Sequence, residues 1–132
     1  MKEIDWSSLS FGYMKTDYNV RCWYRDGAWG EIEVSSEETL NIHIAATCLH
    51  YGQEAFEGLK AYRCPDGKVR VFRMDENAAR LQSTCRGIMM PELPTELFEE
   101  MVAKVVKLNE AYIPPYESGA SLYIRPLLIG TG

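Results

Sequence analysis

The clearest chemical potential in this chain lies at Tyr123 and Arg125, two positions apart in Ser121-Leu122-Tyr123-Ile124-Arg125-Pro126. Alternate residues of a strand share a face, so this spacing sets a phenol beside a guanidinium. Such a pair suits a carboxylate, which a planar cation holds through parallel N–H donors. The plainer alternative is a surface charge or an internal ion-pair partner. Arg80 falls in the second turn of a helical pattern, about 100° round from Leu81, so it can leave the buried stripe and reach into a cleft.

A third candidate is the run at 49–58, Leu-His-Tyr-Gly-Gln-Glu-Ala-Phe-Glu-Gly, with Tyr51 and Phe56 around Gly52 and with Gly58 at its end. By pattern it reads as a short amphipathic helix that buries Leu49, Ala55 and Phe56 and stops at Gly58. The alternative is a pocket wall whose glycines let the backbone turn close to a ligand. Near the N-terminus, Phe11 and Tyr13 flank Gly12, which fits either a core edge or a pocket wall.

Other chemistry is missing. His43 and His50 have no metal-ligand spacing, and no Cys-x-x-Cys pair, phosphate-binding glycine loop or Gly-x-Ser-x-Gly nucleophile turn is present, so no metal site is expected. His50 and Glu54 could share a helix face as a solvated pair. Lys60 and Lys68 fall on hairpin strands, and Lys104 and Lys107 on the polar side of a helix, where little desolvation would activate an amine. The residues offer a pocket wall without a catalyst.

The chain that must position these groups has 132 residues, 46% hydrophobic and 25% charged, which fits one globular domain. A net charge of −5 opposes a phosphate-tracking nucleic-acid surface. No apolar stretch is long enough for a membrane span, and no signal-peptide block follows Met1, so a cytosolic protein is expected. The four cysteines are widely spaced and are expected to be free thiols.

Two strands are expected at 19–24 and 29–34 around Asp26-Gly27, and a half-buried strand at 40–44 where apolar and polar residues alternate. A second hairpin, 59–63 with 69–73, turns at Cys64-Pro65-Asp66-Gly67. A helix from Asp75 carries Ala78, Leu81, Cys85 and Ile88 on one side. A longer one, with Thr95 as N-cap, runs through Tyr112 and buries Leu97, Met101, Val105, Leu108 and Tyr112, supported by Phe98 and Val102. The strand 121–129 contains Pro126, which requires an edge or a bulge. The fold class is α+β: an antiparallel or mixed sheet with hairpins packed against two or three helices. The abrupt end after an apolar strand reads as a piece of a longer protein.

Taken together, Leu49-His50-Tyr51-Gly52-Gln53-Glu54-Ala55-Phe56-Glu57-Gly58-Leu59-Lys60-Ala61-Tyr62, Val71-Phe72-Arg73 with Asn77-Ala78-Ala79-Arg80-Leu81, the strand from Ser121 to Gly130, and Phe11-Gly12 with Thr16-Asp17 strongly resemble the branched-chain amino-acid aminotransferases, in order and spacing. The resemblance covers essentially the whole chain. It implies the smaller, N-terminal domain, residues 1–132, of a two-domain enzyme that holds pyridoxal phosphate between its domains. The Schiff-base lysine of that family would lie beyond residue 132, so no catalytic residue is assigned here and the chain alone should be inactive. By position, Arg80 matches the arginine that holds the cofactor phosphate. Phe11, Phe56 and Tyr123 match walls of the substrate side-chain pocket, Arg125 a residue near the acidic end of glutamate or 2-oxoglutarate, and Tyr51 a tyrosine reaching the neighbouring subunit's site. The resemblance thus implies amino-acid and 2-oxo-acid substrates and a homodimer, with no nucleic-acid or membrane partner. Other expectations are a different pyridoxal-phosphate enzyme of the same fold, such as a D-amino-acid aminotransferase or an aminodeoxychorismate lyase, or a free-standing binding or dimerisation module.

Overall fold

The computed structural model describes residues 16–131. Phe11 and the Phe11-Gly12 motif lie outside the described residues.

Strands β1 (Asn19–Arg21) and β4 (Glu33–Ser35) pair antiparallel, and β2 (Tyr24–Arg25) with β3 (Ala28–Trp29) forms the tip of the same hairpin. Asp26 (φ 52°) and Gly27 (φ 81°) both take the left-handed region, as a tight two-residue turn requires. Arg21 faces Glu33 and Tyr24 faces Trp29, so the return strand carries one extra residue between the two pairings, a bulge that breaks each expected strand in two. The Gly30 N–H donates to Trp23 O at 2.8 Å across the break.

Residues 40–44 form no strand, contrary to their alternating pattern. Asn19 Nδ2 and Arg21 Nη2 both donate to Glu37 O at 2.8 Å, and Arg21 Nη2 reaches Thr39 O at 3.2 Å. Side chains thus hold the connecting backbone, with no neighbouring strand, and Ile44 is left 83% exposed.

The 49–58 run is not one helix. Helix α1 (Thr47–His50) lasts a single turn, Gly52 takes φ 63°, and the chain becomes β5 (Glu54–Phe56). The reason is a partner distant in sequence: β5 pairs antiparallel with β9 (Leu127–Ile129), Phe56 opposite Leu127. Of the three residues expected to be buried, Ala55 is, whereas Leu49 and Phe56 are exposed.

Strands β6 (Leu59–Arg63) and β7 (Val69–Val71) form the expected hairpin, closed by the Cys64 N–H to Lys68 O at 2.8 Å with Gly67 at φ 81°. β8 (Leu122–Ile124) adds to the other edge of β6, setting Lys60 opposite Tyr123. Pro126, which cannot donate a ladder hydrogen bond, lies between β8 and β9, where the expected single strand switches partners. All described strand pairs are antiparallel, divided among four small sheets.

Helix α2 (Met74–Gly87) buries Ala78, Leu81 and Cys85; Ile88 falls just beyond its end. Asp75 and Glu76 in its first turn complement the positive end of the helix. Helix α3 (Thr95–Leu108) is shorter than expected and passes into a 3₁₀ turn, Glu110–Tyr112. Pro94, not Thr95, is its N-cap; the Thr95 hydroxyl instead accepts from Gln82 Nε2 at 3.0 Å.

The buried line of α3 is Phe98, Val102 and Val106, continued by Asn109 and Ile113, one residue round from the expected stripe. Its apolar members alone do not reveal this, because Asn109 is polar. Asn109 is buried without loss because Nδ2 donates to Tyr18 O and Val105 O, and Oδ1 accepts from Tyr18 N. Phe98, Val102 and Val106 meet Leu81, Cys85, Leu59, Ala61 and Ile124 in one core, so the β6–β8 sheet lies over both helices with its other face free. The four cysteines are free, and no described helix is long and apolar enough to cross a membrane.

Candidate functional site

The free face of the sheet meets the exposed side of α2 at an open cleft of about 420 Å³, lined by Lys60, Tyr62, Phe72, Arg73, Arg80 and Tyr123. Strand alternation explains the arrangement: Leu59 and Ala61 point into the core, so Lys60 and Tyr62 point out. Two groups of side chains occupy the cleft and its rim.

At the rim, the β8–β9 link carries Arg125 over the end of β5. Its Cζ lies 4.5 Å from the Phe56 ring centroid and 5.3 Å from that of Tyr123, a double cation–π contact. Arg125 Nη2 and Nε donate to Tyr123 Oη at 3.1 and 3.3 Å. Phe56 stays 55% exposed, so the rim offers apolar ring surface and a cation side by side. Gly58 makes this possible: a Cβ there would run into the Tyr123 hydroxyl and sit 3.0 Å from Tyr123 Cζ.

At the other end is a carboxylate that the sequence reading passed over. Glu57, at the β5–β6 joint, is only 6% exposed. Arg80 Nε donates to its Oε1 and Oε2 at 2.9 and 3.0 Å and Nη2 to Oε1 at 2.7 Å, while Asn77 Nδ2 donates to Oε1 at 2.9 Å. Burial pushes the Glu57 carboxyl up, but the hydrogen bonds from Arg80 and Asn77 and the charge of Arg80 outweigh it and bring the group below its ordinary value. The same carboxylate raises the Arg80 guanidinium further above its usual range. Arg80 remains 68% exposed, with its other edge toward solvent.

A sequence signal for Glu57 existed. Ala55, Glu57, Leu59 and Ala61 recur with period two and are all buried, so an acid stands in the inward phase of an extended run and needs a cation. Reading 49–58 as helix hid that phase.

The structure thus brings together Phe56, Tyr123 and Arg125, and places Arg80 on the same cleft as Tyr123. Tyr51 stands apart, 82% exposed, its ring 6.4 Å from that of His50. Among the described residues no group of His, Cys, Asp and Glu could hold a metal ion.

No family model matches the chain. Curated relatives do. It is 51% identical over 132 residues to a branched-chain-amino-acid aminotransferase of Haemophilus influenzae and 46% identical over 132 residues to one of Helicobacter pylori. Each alignment covers 100% of this chain but 38% and 39% of the relative's own length. Among solved structures, the branched-chain amino acid aminotransferase of Escherichia coli superposes with a TM-score of 0.64 at 28% identity, over 88% of this chain and 34% of that one. Another branched-chain amino acid aminotransferase, solved in complex with N-(5'-phosphopyridoxyl)-L-glutamate, also superposes with a TM-score of 0.64, at 26% identity over 90% of this chain and 35% of that one.

Proposed function

Because the chain belongs to the branched-chain aminotransferase family and corresponds to an N-terminal part of it, we propose that it forms the small domain and one wall of the active cleft in a two-domain, pyridoxal-phosphate-dependent enzyme. The complete enzyme would move an amino group reversibly between leucine, isoleucine or valine and 2-oxoglutarate. The observation that carries this reading is the rim, where one position presents an aromatic ring and a guanidinium 4.5 Å apart. Such an enzyme must accept an apolar side chain and an acidic one in turn. Phe56 and Tyr123 offer the first a surface whose burial contributes roughly 25 cal/mol per Å², and Arg125 offers the second a charge-assisted partner.

The cleft also fits the cofactor's phosphate. The outward edge of Arg80 is exposed, and Lys60 and Arg73 line the same cleft; Glu76, the one acid among the lining residues, lies 3.8 Å from Arg73, so the lining keeps a positive balance. Arg80 would hold the phosphate there, while the bound cofactor supplies the electron sink for bond-breaking at the substrate's α carbon. The proton-transferring and Schiff-base lysine is proposed to come from the remaining part of the enzyme, since these residues span about 38% of the curated relatives' length. We also place Tyr51, exposed and outside the rim, against a neighbouring subunit in a cytosolic homodimer.

The test is turnover by the 132-residue chain and by a full-length enzyme containing it, with leucine and 2-oxoglutarate. Activity is expected only in the longer protein. A full-length enzyme that converts D-alanine but none of the three branched-chain amino acids would overturn the substrate assignment.

A further inference from the structure

Glu57 sets a buried acid beside a cleft whose proposed ligand is itself an anion, an arrangement that ought to weaken binding unless the acid does something else. Its geometry points to what that is. The Glu57 carboxylate takes the Nε–Nη2 edge of Arg80 through contacts of 2.7–3.0 Å. Among the described residues, Nη1 of Arg80 makes no hydrogen bond. The carboxylate is itself held by Asn77 Nδ2 at 2.9 Å, and its backbone N–H donates to Pro126 O at 3.0 Å. A free arginine side chain carries rotamer entropy that an anion would have to remove on binding. An arginine already fixed by one edge spares the ligand part of that cost.

We propose that Glu57 is a positioning residue for cofactor binding: it fixes Arg80 by one edge and turns the opposite edge, led by Nη1, toward the phosphate. The proposal rests on Arg80 meeting the phosphate as described above. It predicts a sign as well as a size, because a carboxylate that merely reduced the positive charge of the cleft would, on removal, tighten the phosphate's binding. Positioning predicts the reverse.

The probes are pyridoxal 5'-phosphate and unphosphorylated pyridoxal, with dissociation constants measured by spectroscopic titration of a full-length enzyme that contains this segment. Glu57→Gln is expected to weaken the phosphorylated form about tenfold, the loss of an oriented charged hydrogen bond, and to leave pyridoxal unchanged. Unchanged or tighter binding of pyridoxal phosphate, or equal losses for both probes, would overturn the proposal. Should Glu57→Gln not fold, Asn77→Ala removes one tether of the carboxylate and is expected to weaken the phosphorylated probe alone, by about threefold; no selective loss overturns the proposal equally. Arg80→Ala separates the two levels. If it leaves the preference for the phosphorylated probe intact, the phosphate role of Arg80 fails and positioning fails with it. If it abolishes the preference while Glu57→Gln leaves it intact, only positioning fails.

Discussion

Arg80 in the cleft and Arg125 at its rim are held in opposite ways. Arg80 grips the carboxylate of Glu57, a residue 6% exposed whose side chain also accepts from Asn77 and whose backbone N–H donates to the Pro126 carbonyl. Among the described residues, Arg125 touches only neutral partners, two aromatic rings and a phenol oxygen, at an open rim. A charged fork between buried and exposed groups resists reorientation. Cation–π contacts and a neutral hydrogen bond, each about 1 kcal/mol at an exposed site, let a side chain shift. The difference suits the cleft proposed above, with one invariant ligand group at the Arg80 end and exchanging substrates at the other.

Four substitutions in a full-length enzyme would break or sharpen that contrast. The largest effect is expected from Arg80→Ala, which should weaken retention of pyridoxal phosphate on the order of a hundredfold, from the loss of two charged hydrogen bonds, with little change in the ratio of leucine to glutamate turnover. Retention after dialysis, read by absorbance, checks it; wild-type retention would remove the fixed end of the comparison. Gly58→Ala drives a methyl into the Tyr123 hydroxyl and should cost little stability, because Tyr123 is 47% exposed and its ring end can swing away, while kcat/KM should fall about tenfold for both substrates through displacement of Tyr123. A denaturant melt beside steady-state kinetics separates the two effects.

Arg125→Ala should lower kcat/KM for glutamate about tenfold and for leucine much less, because in the proposed reading only the acidic side chain uses the cation. Equal losses would mean that the rim does not discriminate by charge. The smallest effect is in acid. The folded Glu57 carboxyl lies below its ordinary value, so the stability it contributes is present above the unfolded value and is lost as pH falls through the folded one. Glu57→Gln should therefore flatten the fall in melting temperature between neutral pH and the acid range; an unchanged slope would show that the pair contributes nothing to acid stability.

The sequence carried the rim further than the fixed end. Tyr123 and Arg125 follow from strand spacing, whereas Phe56 follows from the family resemblance alone, because the local pattern of 49–58 buries it in a helix. Glu57 did not emerge, since its burial depends on β5 pairing with a strand about 70 residues away, and 49–58 taken alone favours a helix. The stripe of α3 was misplaced by one residue for a related reason. Asn109 belongs to it only because Tyr18, far away in sequence, satisfies its amide.

By itself, the sequence determined the two turns at Asp26-Gly27 and Cys64–Gly67, the existence of α2 and α3, an edge or bulge at Pro126, and the resemblance that identifies the family. These rest on backbone preferences and periodicities expressed within a few residues. Tertiary structure alone decided that 40–44 finds no partner, that 49–58 divides between a turn of helix and a strand, and that Glu57 and Arg80 meet. Strand pairing and the burial of a charge are settled by distant groups that satisfy them, and no local pattern records which those will be.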